Sequence, residues 1–376
     1  MPLAKGASLL LRHRSDHTFD LPRKGFDGKE YCSAQAPRKE DLFPSPTYKV
    51  EVSTGHSLMN DYTYINQQLG HYHLIRFLGR GNFSEVYLGE HIHLRTPVAI
   101  KRLCNPLIGE EAEDFLTRTA ELSRLRHPHI VPILDFGIKN DFAFLVMAYT
   151  PNGTLRQRHP RGTRVPFELM PDYLTQITSG LDYLHEQGLV HRDIKPHNML
   201  LGIDNKVLLS DFGTAIGSYS LYPGQIALQD FEGTVLYAAP EQLQGMPRRS
   251  SDQYALGIMV YEWICGDWPF KGTFHEIVHH HLFIEPPPLQ EKGVVCPPNI
   301  ARVVMRALEK NPAKRFSSVK QFADEFAWAY KVAQAKRQLP YPTPSLQKQA
   351  TQQQEMPPSL SLQNLGQQNP HRPHGG

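Results

Sequence analysis

Cysteine is scarce in this chain of 376 residues, with four in all, at Cys32, Cys104, Cys265 and Cys296. They stand far apart and form no CxxC, which argues against a disulfide framework or a cysteine zinc site and fits a reducing compartment. Long apolar runs are missing as well. Nothing approaches the ~20 consecutive apolar residues of a spanning helix. The ASLLL run near the N-terminus is cut by Arg12, His13 and Arg14, too soon for a signal peptide. Charge of one sign is not concentrated anywhere: 40 Lys+Arg against 37 Asp+Glu leave a formal +3, without the basic stripe that marks nucleic-acid binding. These absences lead to the expectation of a soluble, cytoplasmic chain with no membrane span and no nucleic-acid partner. What is present is ordinary, 40% hydrophobic and 20% charged, enough to build a core.

Residues 1–66 are polar and mixed in charge, with no sustained period of 2 or 3.6, and are expected to be a disordered extension. Met59 stands just ahead of the first ordered-looking residues and is an alternative start. From Tyr72 the pattern turns β-like: HLIRFLG, EVYLGEHI and VAIKRL are short runs of β-branched and aromatic residues bounded by Gly or Pro. The spacing of Phe115, Leu122 and Leu125 predicts a helix over Glu110–Arg126. VPILDFGIK and FAFLVMAY restore strand character. After Asn152 the periodicity is helical, through PDYLTQITSGLDYLHEQG, DQYALGIMVYEWICG, FHEIVHHHLF, NIARVVMRALEK and VKQFADEFAWAYKVAQAKR. The expected division is a domain over 67–330, β-rich at about 71–150 and helical at about 151–330, then a Gln/Pro-rich disordered tail over 331–376.

The densest chemistry lies between His191 and Gly213, in HRDIKPHNMLL and LLSDFG. Asp193, Lys195, Asn198 and Asp211 bring a carboxylate, an ammonium and two further oxygen ligands into one short stretch, the groups that phosphoryl transfer from ATP requires. Upstream, LGRGNFSEV places Gly79 and Gly81 where backbone N–H groups can approach phosphates, and VAIK supplies Lys101 on a strand. Downstream comes GTVLYAAPE, Gly233–Glu241. Taken in this order, the motifs resemble the protein kinase superfamily over about residues 71–330, most closely the bacterial Ser/Thr kinases.

That resemblance implies an α+β, two-lobed kinase fold: a small antiparallel-sheet N-lobe with one helix and a larger, mainly helical C-lobe. It implies ATP and Mg2+, with Mn2+ as a substitute, and protein substrates, including a second copy of the chain through self-association and autophosphorylation. By position, Asp193 would be the base, Lys195 the phosphate-neutralising cation and Thr234 its hydroxyl partner, while Asn198 and Asp211 would hold metal. Leu78, Gly79, Gly81, Val86, Ala99, Lys101, Met147 and Tyr149 would line the nucleotide site, with Ala148–Thr150 as the hinge. Glu241 would pair with Arg315, and Asp252 would brace the backbone at His191 and Arg192. Arg192 would meet a phosphate, or Asp230 or Glu232 in its place, since Thr214, Ser218, Tyr219, Ser220 and Tyr222 all lie well before Gly233.

One departure stands out. The family holds the strand lysine with a helix glutamate, and that position is Arg118 here, with Glu121 three residues on. Either Glu121 serves in its place or Lys101 lacks its partner. The second case would make the chain a pseudokinase, a nucleotide-binding scaffold. A rival signal, HEIVH at His275–His279, matches the H-E-x-x-H zinc-protease helix, with His275 and His279 on one face and Glu276 as base. In a chain of 19 histidines such a match carries little weight.

Overall fold

Alternation of apolar and polar residues builds the first part of the molecule. In the computed structural model, which describes residues 64–81, 84–211 and 235–338, β1 (Gln68–Leu69), β2 (Tyr72–Arg80), β3 (Ser84–His91), β4 (Pro97–Pro106), β5 (Ile133–Lys139) and β6 (Phe142–Ala148) form one antiparallel sheet. Its order is β1-β2-β3-β4-β6-β5. Successive side chains point to opposite faces. Val98 and Ile100 therefore join Leu74, Tyr87, Phe144 and Val146 in an outer cluster, against which Tyr64 and Ile65 pack. Ala99 and Lys101 turn to the other face. The register sets Lys101 opposite Val86 and Ala99 opposite Met147, which gathers four of the expected nucleotide-lining residues.

The helix α1 (Glu110–Leu122) crosses the inner side of the sheet and buries Phe115, Thr119 and Leu122. Glu110, Glu111 and Glu113 in its first turn complement the helix dipole. It stops four residues short of the expected Arg126, because the Ser123 hydroxyl turns back to the Ala120 carbonyl (2.8 Å) and competes with the ladder. Leu125 is buried all the same.

The helical part follows: α2 (Leu155–Arg158), α3 (Met170–Glu186), the hairpin β7 (Met199–Leu201) and β8 (Val207–Leu209), then α4 (Pro240–Leu243), α5 (Arg249–Cys265), α6 (Phe274–Phe283), α7 (Pro298–Ala307) and α8 (Val319–Gln338). The centre is α5, buried on all sides from Ser251 to Ile264, as only a helix enclosed by other elements can be. Each fully buried Leu, Ile or Val there contributes about 1.5–3 kcal/mol of transfer free energy. On α3, Gly180 permits a close approach: a Cβ there would lie 2.7 Å from the Leu209 side chain and 2.8 Å from the His129 carbonyl. That contact seats β8 on the helix and so places Asp211, just beyond β8.

The observed architecture is the expected sheet with one helix followed by a mainly helical region. Two expected boundaries shift. Residues ahead of the boundary expected at 67 already pack: Asn66 N–H bonds the Leu74 carbonyl (2.9 Å), and Tyr64 and Ile65 cover the outer cluster. At the other end α8 runs to Gln338, past the boundary expected at 330, since its Tyr330 still packs on the main core. The rest of both expected extensions lies outside the described residues. So do Asn82 and Phe83 of the glycine-rich loop, Phe212 and Gly213, the loop hydroxyls Thr214–Tyr222, Asp230, Glu232 and Thr234. No helix among the described residues is long and apolar enough to cross a membrane.

Candidate active site

A buried carboxylate organises the loop that carries Asp193. Asp252, on α5 and only 1% exposed, accepts the N–H groups of His191 (2.9 Å) and Arg192 (2.8 Å), and His185 Nε2 of α3 lies 2.8 Å from it. A buried carboxylate that accepts two backbone N–H groups and lies against an imidazole is the arrangement in which its burial is compensated. These bonds hold Arg192 in the left-handed region at φ 68°, a conformation costly for a non-glycine residue. The Arg192 carbonyl is fixed in turn by Gln242 Nε2 at 2.7 Å. The bracing expected of Asp252 is therefore present.

Past this anchor the reactive side chains converge. Lys195 Nζ stands 2.8 Å from Asp193 Oδ2. Asn198, in a single 3-10 turn at Pro196–Asn198, donates its Nδ2 to both the carbonyl and Oδ2 of Asp193, each at 2.8 Å. Its side-chain oxygen is thereby turned away from Asp193. The Asn198 carbonyl accepts from Ser210 N (2.9 Å), and His191 Nε2 lies 3.1 Å from the Ser210 carbonyl. This stitches the loop to the residue before Asp211.

Asp211 and Lys101 join the helical part to the sheet. Lys101 Nζ lies 2.5 Å from Asp211 Oδ1, and Asp211 is itself left-handed at φ 63°. Burial works to raise the Asp211 carboxyl, but the charge and hydrogen bond of Lys101, with Lys195 and His191 behind it, hold it below the usual range. Leu78, Gly79 and Val86 neighbour one another across the β2–β3 hairpin, and a Cβ on Gly79 would meet nothing within 4 Å, so that side of the strand is open. Tyr149 is half-buried just beyond β6.

Glu121 does not join this group. It is exposed, because Phe115, Thr119 and Leu122 commit the opposite face of α1 to the core, and Lys101 pairs with Asp211 instead. Arg118 is half-buried on the same helix.

The donor set suits a hard divalent cation that keeps most of its ligands from phosphates and water: the carboxylate of Asp211 and the side-chain oxygen of Asn198. No group of three or more His, Cys, Asp or Glu among the described residues could hold a metal by itself. The H-E-x-x-H stretch is put to another use here. Glu276 caps its own helix, its Oε2 accepting Thr273 N–H at 2.7 Å, while His275 and His279 face outward.

Further polar groups escaped sequence reasoning. The pairing of Glu241 with Arg315 (2.7 and 2.9 Å) is as expected, but Glu262 also carries a buried pair, with Arg156 at 2.7 Å. The Tyr237 hydroxyl donates to that Glu262 at 2.6 Å and accepts from Trp268 Nε1 at 3.0 Å. A signal existed: a lone charge inside IMVYEWIC must find a partner if the helix is buried.

Comparison with known proteins agrees with this geometry. The protein kinase domain family matches residues 72–327. Serine/threonine-protein kinase PrkC of Bacillus subtilis is 32% identical over 268 residues, 69% of this chain and 41% of the relative. For serine/threonine-protein kinase pkn2 of Myxococcus xanthus the identity is 33% over 283 residues, 71% and 33% of the two chains. PknL of Mycobacterium tuberculosis is 33% identical over 279 residues, 72% and 68%. The chain thus spans well under half of the first two relatives and about two thirds of the third. Matched over most of its length, with the catalytic loop, the strand lysine and the braced backbone in one place, the chain belongs to the protein kinase family, among its serine/threonine kinases.

Proposed function

We propose that the protein transfers the γ-phosphoryl group of ATP to Ser or Thr hydroxyls of other proteins and of its own copies, with Mg2+ or Mn2+, on the cytoplasmic side where ATP is supplied. The observation that carries this reading is the compact set of Asp193, Lys195 and Asn198 beside the Lys101–Asp211 pair. Asp193 accepts and orients the hydroxyl proton. Lys195, 2.8 Å from Asp193 Oδ2, donates to the oxygens of the transferring group. Lys101 takes the inner phosphates, and a divalent cation on Asn198 and Asp211 would neutralise charge developing in the transition state.

A second reading, a nucleotide-binding scaffold with little catalysis, is favoured by one observation: Arg118 stands where a helix carboxylate is expected, and Glu121 is turned to solvent. Radiolabelled ATP with Mg2+ separates the two. The active reading expects label on Ser or Thr, lost about 1000-fold or more in Asp193→Asn, as removal of a catalytic base at a preorganised site does. Nucleotide binding without label in the wild type would favour the scaffold.

A further inference from the structure

The face of the sheet turned away from Lys101 carries a charged cluster that the proposed chemistry does not use. Glu85 on β3 and Arg102 on β4 face each other directly in the ladder, and both are only 8% exposed. The Glu85 carboxylate accepts from Arg80 Nη2 at 2.7 Å and from the Tyr87 hydroxyl at 2.9 Å, with Arg102 Nη1 at 3.9 Å. Arg102 in turn lies between two aromatic rings, 4.2 Å from the centroid of Tyr64 and 4.1 Å from that of Phe142. Ring faces on both sides and the nearby carboxylate compensate the burial of this guanidinium.

The position of this cluster gives it a consequence. Arg80 sits between Gly79 and Gly81, on the glycine-rich loop itself. The Arg80–Glu85 bond therefore closes the loop across its neck, beside the turn bond from Gly81 N–H to the Ser84 carbonyl (2.7 Å). Val86, the next residue along from Glu85, points to the opposite face, opposite Lys101. Fixing Glu85 therefore fixes the stretch of β3 that presents Val86, and through Arg80 ties it to the end of β2 that carries Gly79.

We infer that Glu85 is a positioning residue for the glycine-rich loop, that Arg102 supplies the charge holding it in the interior, and that Tyr64 is the lid on that charge. Tyr64 lies ahead of the segment 72–327 that the family model matches. The inference rests on the reading of the cleft as a nucleotide site, and it makes the residues entering β1 part of that site.

Amide hydrogen exchange over Gly79–Tyr87 in the full chain without nucleotide, and the Kd of a fluorescent ATP analogue with Mg2+, test it together. Arg102→Met and Glu85→Gln are expected to speed exchange at Gly81 and Glu85 and to weaken the analogue about tenfold, equivalent to about 1.4 kcal/mol of lost loop order. Tyr64→Leu should do the same more mildly, about threefold, and Tyr64→Phe, which keeps the ring, should restore both. Folded variants whose exchange and Kd stay within twofold of wild type would overturn the inference. If Arg102→Met does not fold, the contrast of Tyr64→Leu with Tyr64→Phe decides alone. Wild-type protein that binds the analogue but transfers no phosphate would strike the proposed activity and leave this inference standing. Wild type that binds no analogue would overturn its nucleotide half, whatever the exchange shows.

Discussion

At the scale of single residues, the site is a set of buried charges each matched by a partner, and Glu241 with Arg315 is the cleanest pair. The two side chains are 6% and 0% exposed and meet through two hydrogen bonds. Burial pushes the Glu241 carboxyl up, yet the bonds and charge of Arg315, with the Ser251 hydroxyl, bring it below the usual range. A carboxylate whose folded pKa is depressed stabilises the fold above its unfolded value of about 4.3, and loses that contribution as pH falls through the folded value. Arg315→Met leaves the same carboxylate buried with only the Ser251 hydroxyl bonded to it, so burial then outweighs what is left and raises its pKa, reversing the sign. The variant should be destabilised by about 3–5 kcal/mol at pH 7. That deficit should shrink as pH falls towards 5, because protonation now relieves the fold. Urea denaturation at both pH values checks it, and a deficit independent of pH would mean the charge of Glu241 is not its cause.

At the scale of elements, α1 separates the readings. With Thr119 and Leu122 facing the core, Glu121 has no route to Lys101, so Glu121→Ala should change ATP turnover by less than about twofold, as an exposed substitution does. Arg118→Glu supplies a carboxylate at the position where the family holds one, and should share Lys101 with Asp211. An increase of about fivefold or more in kcat/KM for ATP is the expected result, the size of one charge-assisted hydrogen bond used in the transition state. A drop would show that Arg118 has its own task in this chain.

The same helix shows what sequence patterns can and cannot disclose. Motif order picked out Asp193, Lys195, Asn198 and Asp211 because they stand within one short stretch, and Lys101 through a separate strand motif, while alternation located the strands because period 2 is set by the pleat. The end of α1 was misplaced because a single serine hydroxyl decided it. The facing of Glu121 depended on which neighbours the core claimed, and the Arg102–Tyr64 and Arg156–Glu262 contacts join residues 38 and 106 positions apart. Such pairs exist only once the sheet has closed and α5 is surrounded.

At the scale of the whole molecule, the pair of Lys101 with Asp211 joins the sheet to the helical part. Each of the two is also a nucleotide-site residue in the proposed reaction, Lys101 towards phosphates and Asp211 towards metal. Paired with each other, their charges offset. Nucleotide with Mg2+ offers each a better partner, so binding should tighten the cleft rather than part it, and should raise Tm. With ligand at about 100 times its Kd, linkage gives about 2.7 kcal/mol. For a domain of this size that is a rise on the order of 5–10 °C, from a shift of ~2–4 °C per kcal/mol. Lys101→Met should abolish the rise and lower the unliganded Tm as well, since Asp211 is then left with burial and no adjacent ammonium. Asp193→Asn should keep the rise, because its task begins only after the nucleotide is bound. Chelation of Mg2+ should remove most of the rise in the wild type and none in Lys101→Met. Equal shifts in all three proteins would place the nucleotide elsewhere on the molecule.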